Sequence, residues 1–345
     1  MPGRRGKLLV GLLAAAVAVP ASAIAAQESV IATKSRAASA ADASPLGAAA
    51  KKKKKKKKKK GSPATTQSSQ APFSSSQIIA LTAFCPARSH ISGGGFAVSP
   101  SFTPPSAGLR SVTSTNQPAS ATSWNAGGAS FSTPIASGSF TAFARCERDR
   151  AAKLHSILRD SAILSPGNSQ TFTFNCPPGN HVVSGGYAGA GLGAFTYSPA
   201  NLRIILLQSR RTGPGQWVVQ ALNSSNSPVA STVTGFALCE QDARGRTISE
   251  VSSFTALIDD ARASGDPTCT GKTHVVSGGF VISPNGIGAI PATAIDEFQP
   301  IGAKTWHVGL HELVQVNLPP GSSLQSYAYC APDSVAKKRK KKKTK

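Results

Sequence analysis

Charged side chains are scarce in this chain. Asp, Glu, Lys and Arg make up 15% of the residues, against roughly 25% in an ordinary soluble protein, which argues against long salt-bridged helices and coiled coils. Long apolar runs are scarcer still: Leu8 to Val19 stands alone, and it falls short of the about 20 residues a helix needs to cross a bilayer. Motifs of nucleophilic, zinc-protease and nucleotide chemistry are missing as well, with no Gly-x-Ser-x-Gly, His-Glu-x-x-His or phosphate-binding Gly-Lys-Ser. Asp259-Asp260 and Asp296-Glu297 are adjacent pairs in one part of the chain only. Neighbours on a strand point to opposite faces, so these carboxylates read as solvated groups rather than as a pair flanking one bond. No catalytic residue and no cofactor are expected.

Acidic residues are few, 15 against 38 Lys and Arg, for a formal net charge of +23. The excess is local. Ten lysines fill positions 51–60, including Lys51, Lys55 and Lys60, and eight more cations lie between Lys337 and Lys345, including Lys340 and Lys343. Residues 61–336 carry 15 cations against 13 acids and are nearly neutral. Blocks of one sign repel themselves and stay solvated, so both runs are expected to be disordered tails, and the remainder has no nucleic-acid footprint.

Arg4, Arg5 and Lys7 before the apolar run, with Ala21-Ser22-Ala23 after it, have the form of a secretory signal over residues 1–23. Residues 24–74 are rich in Ala, Ser, Gln and Lys and read as a tether; a flexible chain of that length spans roughly 40 Å. With export, the expected partners of the lysines are anionic cell-envelope polymers or lipid headgroups, or extracellular DNA, and the expected location is extracellular or on the cell surface.

The body is repetitive. Cys85, Cys146, Cys176, Cys239, Cys269 and Cys330 are separated by alternating short and long intervals, a period of 91 to 93 residues. His90, His181 and His274 each follow the first cysteine of a pair by five positions; Gly94-Gly95, Gly185-Gly186 and Gly278-Gly279 keep nearly the same register. Trp124, Trp217 and Trp306 precede the second cysteine by 22 to 24 positions. Short alternating runs separated by Pro, Gly and Asn predict about five strands per unit, in the second unit at 171–176, 181–187, 202–208, 216–221 and 231–239. Ala151 to Asp160 is left as one or two helical turns between units. The expected fold is all-β: three tandem antiparallel units, β-sandwich or β-prism-like, at 75–150, 151–243 and 244–334, with a basic tail at 335–345. Six cysteines in an exported chain form a disulfide framework. A threefold pattern favours Cys85–Cys146, Cys176–Cys239 and Cys269–Cys330, with Cys146–Cys176, Cys239–Cys269 and Cys330–Cys85 as the alternative.

The pattern Cys176-Pro177-Pro178-Gly179-x-His181-Val182-Val183-Ser184-Gly185-Gly186-Tyr187, closing with Phe236-Ala237-Leu238-Cys239, resembles a repeat of secreted proteins of high-GC Gram-positive bacteria. It is also similar to the β-prism of vitelline membrane outer layer protein, whose units are shorter. Neither resemblance implies an active site.

Two sets of repeated residues are candidate ligand positions. His90, His181 and His274 would meet on one metal ion if a threefold axis gathered them; the simpler reading has each histidine bonding a neighbouring carbonyl. His307 and His311 share a strand face in the third unit only. Trp124, Trp217 and Trp306 are either sugar-stacking platforms or core plugs, and the second is favoured. The Gly-Gly pairs fit close strand packing. Together these features point to a secreted structural or binding module rather than an enzyme. A polysaccharide hydrolase with a site between units, and nucleic-acid binding through the tails, are the alternatives.

Overall fold

The computed structural model of the chain describes residues 64–333 apart from 75–76, 100–109, 132–136, 149–154, 191–203, 224–229, 242–246, 258–261, 284–292 and 313–320. The expected signal segment, both lysine runs and Asp259-Asp260 lie outside the described residues, which are all strand and turn. Each repeat supplies six strands. The first has β1 (Ala64–Ser74), β2 (Ile78–Phe84), β3 (Ser89–Ser99), β4 (Arg110–Ser120), β5 (Ser123–Phe131) and β6 (Ser137–Arg148). The second has β7 (His155–Leu164), β8 (Ser169–Asn175), β9 (Asn180–Ala190), β10 (Ile204–Gly213), β11 (Gln216–Asn223) and β12 (Ser231–Gln241). The third has β13 (Ser249–Ala256), β14 (Ala263–Gly265), β15 (Thr273–Ser283), β16 (Thr293–Ile301), β17 (Thr305–Glu312) and β18 (Ser323–Pro332).

The eighteen strands form three six-stranded antiparallel sheets, ordered β1-β6-β3-β16-β17-β14, β13-β18-β15-β10-β11-β8 and β2-β5-β4-β9-β12-β7. Every sheet is shared. The first, sixth and third strands of one repeat pair with the fourth, fifth and second of another, and the exchange runs cyclically through all three repeats. The third strands β3, β9 and β15 pack against one another and mark a pseudo-threefold axis in a prism-like arrangement. One continuous apolar core links residues from all three repeats, including the fully buried Trp124, Trp217 and Trp306.

Among the described residues, two residue pairs connect the half-sheets at each joint: Phe96 and Ala97 with Phe298 and Glu297, Tyr187 and Ala188 with Asn116 and Thr115, Phe280 and Val281 with Ser209 and Gln208. The Gly-Gly pairs make these joints. A Cβ on the first glycine of each pair would enter the indole of that repeat's own tryptophan, Trp124, Trp217 or Trp306. A Cβ on the second would meet the backbone of the neighbouring repeat, at Phe298, Asn116 or Ser209. One glycine seats the core plug and the other admits the partner strand.

The disulfides are Cys85–Cys146, Cys176–Cys239 and Cys269–Cys330. The first cysteine of each follows the second strand of its repeat and the other lies on the sixth, which belongs to a different sheet. Each bridge therefore ties two sheets together while closing a loop of about 60 residues, worth roughly 4 kcal/mol on the chain-entropy model.

Two expectations are corrected. Ala64 to Ser74, assigned by composition to the tether, is edge strand β1, paired with β6 along its whole length. The segment expected to make helical turns contains the start of edge strand β7, paired with β12. β1 exposes mainly polar residues, and β7 exposes Arg159, Asp160 and Ser161 beside Ile163; polar and charged positions of this kind are common on edge strands, and they hid the alternation.

Candidate functional site

The repeated histidines sit at the start of the third strands, and the pseudo-threefold axis brings them into one buried cluster. His90, His181 and His274 are all buried, together with two carboxylates that follow the second cysteines, Glu147 and Glu240. The sheet pairing explains the meeting: Glu147 is the register partner of His90, and Glu240 that of His181. The third repeat has Ala331 opposite His274, so the cluster holds three imidazoles and two carboxylates.

His274 bridges. Its Nε2 lies 2.6 Å from Glu147 Oε1, and its Nδ1 lies 3.0 Å from Asp333 Oδ1. The other oxygen, Glu147 Oε2, is 3.8 Å from His90 Nε2, and Glu240 Oε2 is 3.8 Å from His181 Nε2. One ligand atom each from His90, Glu147 and Glu240 lies within 4.8 Å of the others. A further ring joins the cluster: His155 on β7 is the register partner of Glu240 and packs on His90 with centroids 4.5 Å apart.

Arg145, two residues before Glu147, is buried and closes the ring of repeats. Its Nε donates to Val275 O at 2.9 Å, and its terminal nitrogens donate to Gly302 O, Ala303 O and Thr66 Oγ1. Burial pulls this guanidinium down to about 10, an effect partly offset by the nearby Glu147 carboxylate. Closer to the axis, Ser92 Oγ donates to Val276 O at 3.1 Å, and Ser277 Oγ donates to Val183 O.

The first and last described residues, Ala64 and Asp333, both lie at this cluster. Ala64, at the start of β1, is the register partner of Glu147, while Asp333, just past β18, is bonded to His274. Lys60 precedes Ala64 by four residues and Lys337 follows Asp333 by four.

Other candidates fare differently. Trp124, Trp217 and Trp306 are completely buried, as the favoured core-plug reading expects, so none offers a face to a sugar and the alternative of sugar-stacking ligand positions is corrected. Trp124 Nε1 donates to Asn116 Oδ1 at 2.7 Å and Trp217 Nε1 to Ser209 Oγ at 3.2 Å. In the third repeat Phe298 occupies the equivalent place, and the buried Trp306 Nε1 has no hydrogen-bond partner among the described residues.

Asp296 and Glu297 are not solvated: Asp296 is fully buried, and Glu297 is bound by Arg262 at 2.8 Å and by His307 Nε2 at 2.6 Å. A bulge between Ile295 and Glu297 breaks the alternation, so both carboxylates reach Arg262 instead of opposite faces. His307 Nδ1 contacts Asp266 at 2.7 Å, which completes an ion-pair network; the side chain of His311 lies outside the described residues. Glu147, Glu240 and His155 are the site residues that sequence reasoning missed. The Cys-Glu dipeptide at 146–147 and 239–240 was the available signal.

Compared with protein-family models and with curated proteins, the chain matches none.

Proposed function

We propose that this protein is a secreted binding or structural module, held on anionic polymers of the cell envelope by its two lysine runs. The carrying observation is that Ala64 and Asp333, the points nearest those runs, flank the same His–Glu cluster. At no more than about 3.6 Å per residue, four residues limit the nearest lysine of each run, Lys60 and Lys337, to roughly 15 Å from Ala64 and Asp333. Two polycationic segments leaving one end engage one surface together, and the second contact becomes effectively intramolecular. Each lysine near an anionic surface contributes about 1 kcal/mol before screening.

The nearly neutral body suits a spacer or a presenting scaffold. Its three disulfides fit an oxidising compartment, in keeping with export. The ion-paired carboxylates at Asp296 and Glu297 give no support to the hydrolase alternative.

Co-sedimentation with isolated cell envelopes at low and high salt tests the reading, using the mature chain, a chain lacking residues 51–60, one lacking 336–345, and the body at 62–335. The expected result is salt-sensitive binding by the mature chain, a more than tenfold weakening on loss of either run, and none by the body. Binding by the body in high salt would overturn it and assign the body a specific envelope ligand.

A further inference from the structure

We propose that the His–Glu cluster on the pseudo-threefold axis binds a single divalent transition-metal ion, with zinc the best match to its donors. The ligands assigned are His90, Glu147 and Glu240, whose donor atoms already converge, with His181 as the fourth, its Nε2 being 3.8 Å from Glu240 Oε2. Donors at about 2.0–2.2 Å from a tetrahedral zinc stand roughly 3.3–3.6 Å apart. The His90–Glu147 and His181–Glu240 separations of 3.8 Å are close to that range, and binding draws the His90, Glu147 and Glu240 donors together from within 4.8 Å of one another.

Charge favours an ion over an empty core. Two carboxylates buried in one cluster repel each other, and a cation held between them relieves that repulsion. Glu147 and Glu240 place two carboxylates at the point of convergence, where one divalent cation meets both, and Ala331 stands at the equivalent position of the third repeat. Imidazole nitrogens select a zinc-like ion over calcium or magnesium, which take oxygen cages.

The surrounding shell has the form a metal site needs. His274 is held by Asp333 on one nitrogen and grips Glu147 Oε1 with the other. This leaves Glu147 Oε2 facing His90, so His274 acts as a positioning residue. The His155 ring against His90 fixes the plane of that ligand. The site draws its ligands from two repeats and its support from the third, so it exists only when the ring of repeats is closed.

The test uses the full chain with disulfides intact, stripped with chelator and then given zinc or cobalt. One equivalent retained through gel filtration is expected, with an intense visible spectrum of four-coordinate cobalt and a thermal midpoint raised by zinc. Glu240→Gln should abolish the cobalt spectrum, and His274→Gln should weaken zinc binding about 10- to 100-fold. A wild-type chain that retains no stoichiometric metal and melts at the same temperature with and without zinc would overturn the proposal. So would zinc binding unchanged in folded Glu240→Gln. The wild-type cobalt spectrum is decisive by itself if that variant folds poorly.

Discussion

Alanine at Gly95 tests whether the repeats are interlocked as the sheets imply. A Cβ there would fall 2.8 Å from the carbonyl carbon of Phe298 and closer still to its oxygen. The obstacle is the backbone of β16 in another repeat, not the movable end of a side chain. Relief requires β3 and β16 to part at the joint where, among the described residues, two residue pairs connect them. Overpacking of a well-filled core costs typically 1–3 kcal/mol, and a backbone obstacle puts this case at about 3 kcal/mol or more. Gly179 is the control, because it has a positive φ of 80° and a Cβ added there would meet nothing within 4 Å; alanine at that position costs about 1–2 kcal/mol of left-handed strain alone. For a body of this size, Gly95→Ala should lower the melting midpoint by roughly 6–12 °C or more and Gly179→Ala by roughly 2–8 °C, measured by circular dichroism with disulfides intact. A Gly95→Ala protein as stable as the Gly179→Ala control would refute the strand exchange at that joint.

The tryptophans give a paired comparison: Trp124→Phe strands the buried Asn116 Oδ1, whereas Trp306→Phe removes a donor that has no partner among the described residues. The first should be about 1–3 kcal/mol more destabilising in urea titrations, and equal costs would contradict the assigned hydrogen bonding. At the Asp266–His307–Glu297 network, burial pulls the His307 imidazole down, but its bonds to Glu297 and Asp266 carry it above its ordinary value. Burial raises Glu297, and its bonds to His307 and Arg262 bring it below the ordinary carboxylate value. The His307 contribution is complete below its unfolded value of about 6.5 and fades as pH rises through the higher folded value; that of Glu297 is complete above about 4.3 and fades as pH falls. The melting-temperature gap between wild type and His307→Gln should therefore be widest near pH 5–6 and narrow by pH 9, and a gap that widens at pH 9 would contradict this.

Sequence legibility followed the number of jobs a residue has. Cysteines, Gly-Gly pairs and tryptophans each have one geometric task repeated three times, so their spacing exposed the repeat and the favoured disulfides. Alternation found strands β8 to β12 in nearly their observed places, because each has a buried face. It could not say which repeat a strand pairs with, since a half-sheet of three strands presents the same pattern to any equivalent neighbour. Edge strand β1 escaped because its exposed positions are mainly polar, and β7 because Arg159, Asp160 and Ser161 interrupt its apolar positions. The His cluster was half legible: the histidines shared a register, but Glu147 and Glu240 were masked by the adjacent cysteines and by Ala331 in the third repeat. Asp296 and Glu297 were misjudged because a bulge, invisible to a period-two reading, turns them toward the same arginine.

The central claim is that three repeats make one core by exchanging half-sheets. Expressing the second repeat alone, residues 151–246, and recording its amide spectrum together with its sedimentation mass tests this most directly. Its half-sheets would lose β4 beside β9 and β15 beside β10, and Trp217 would lose Tyr329. The account predicts a collapsed spectrum without cooperative melting, or a self-assembled trimer that restores the exchange with copies of itself. A folded, cooperatively melting monomer would contradict it.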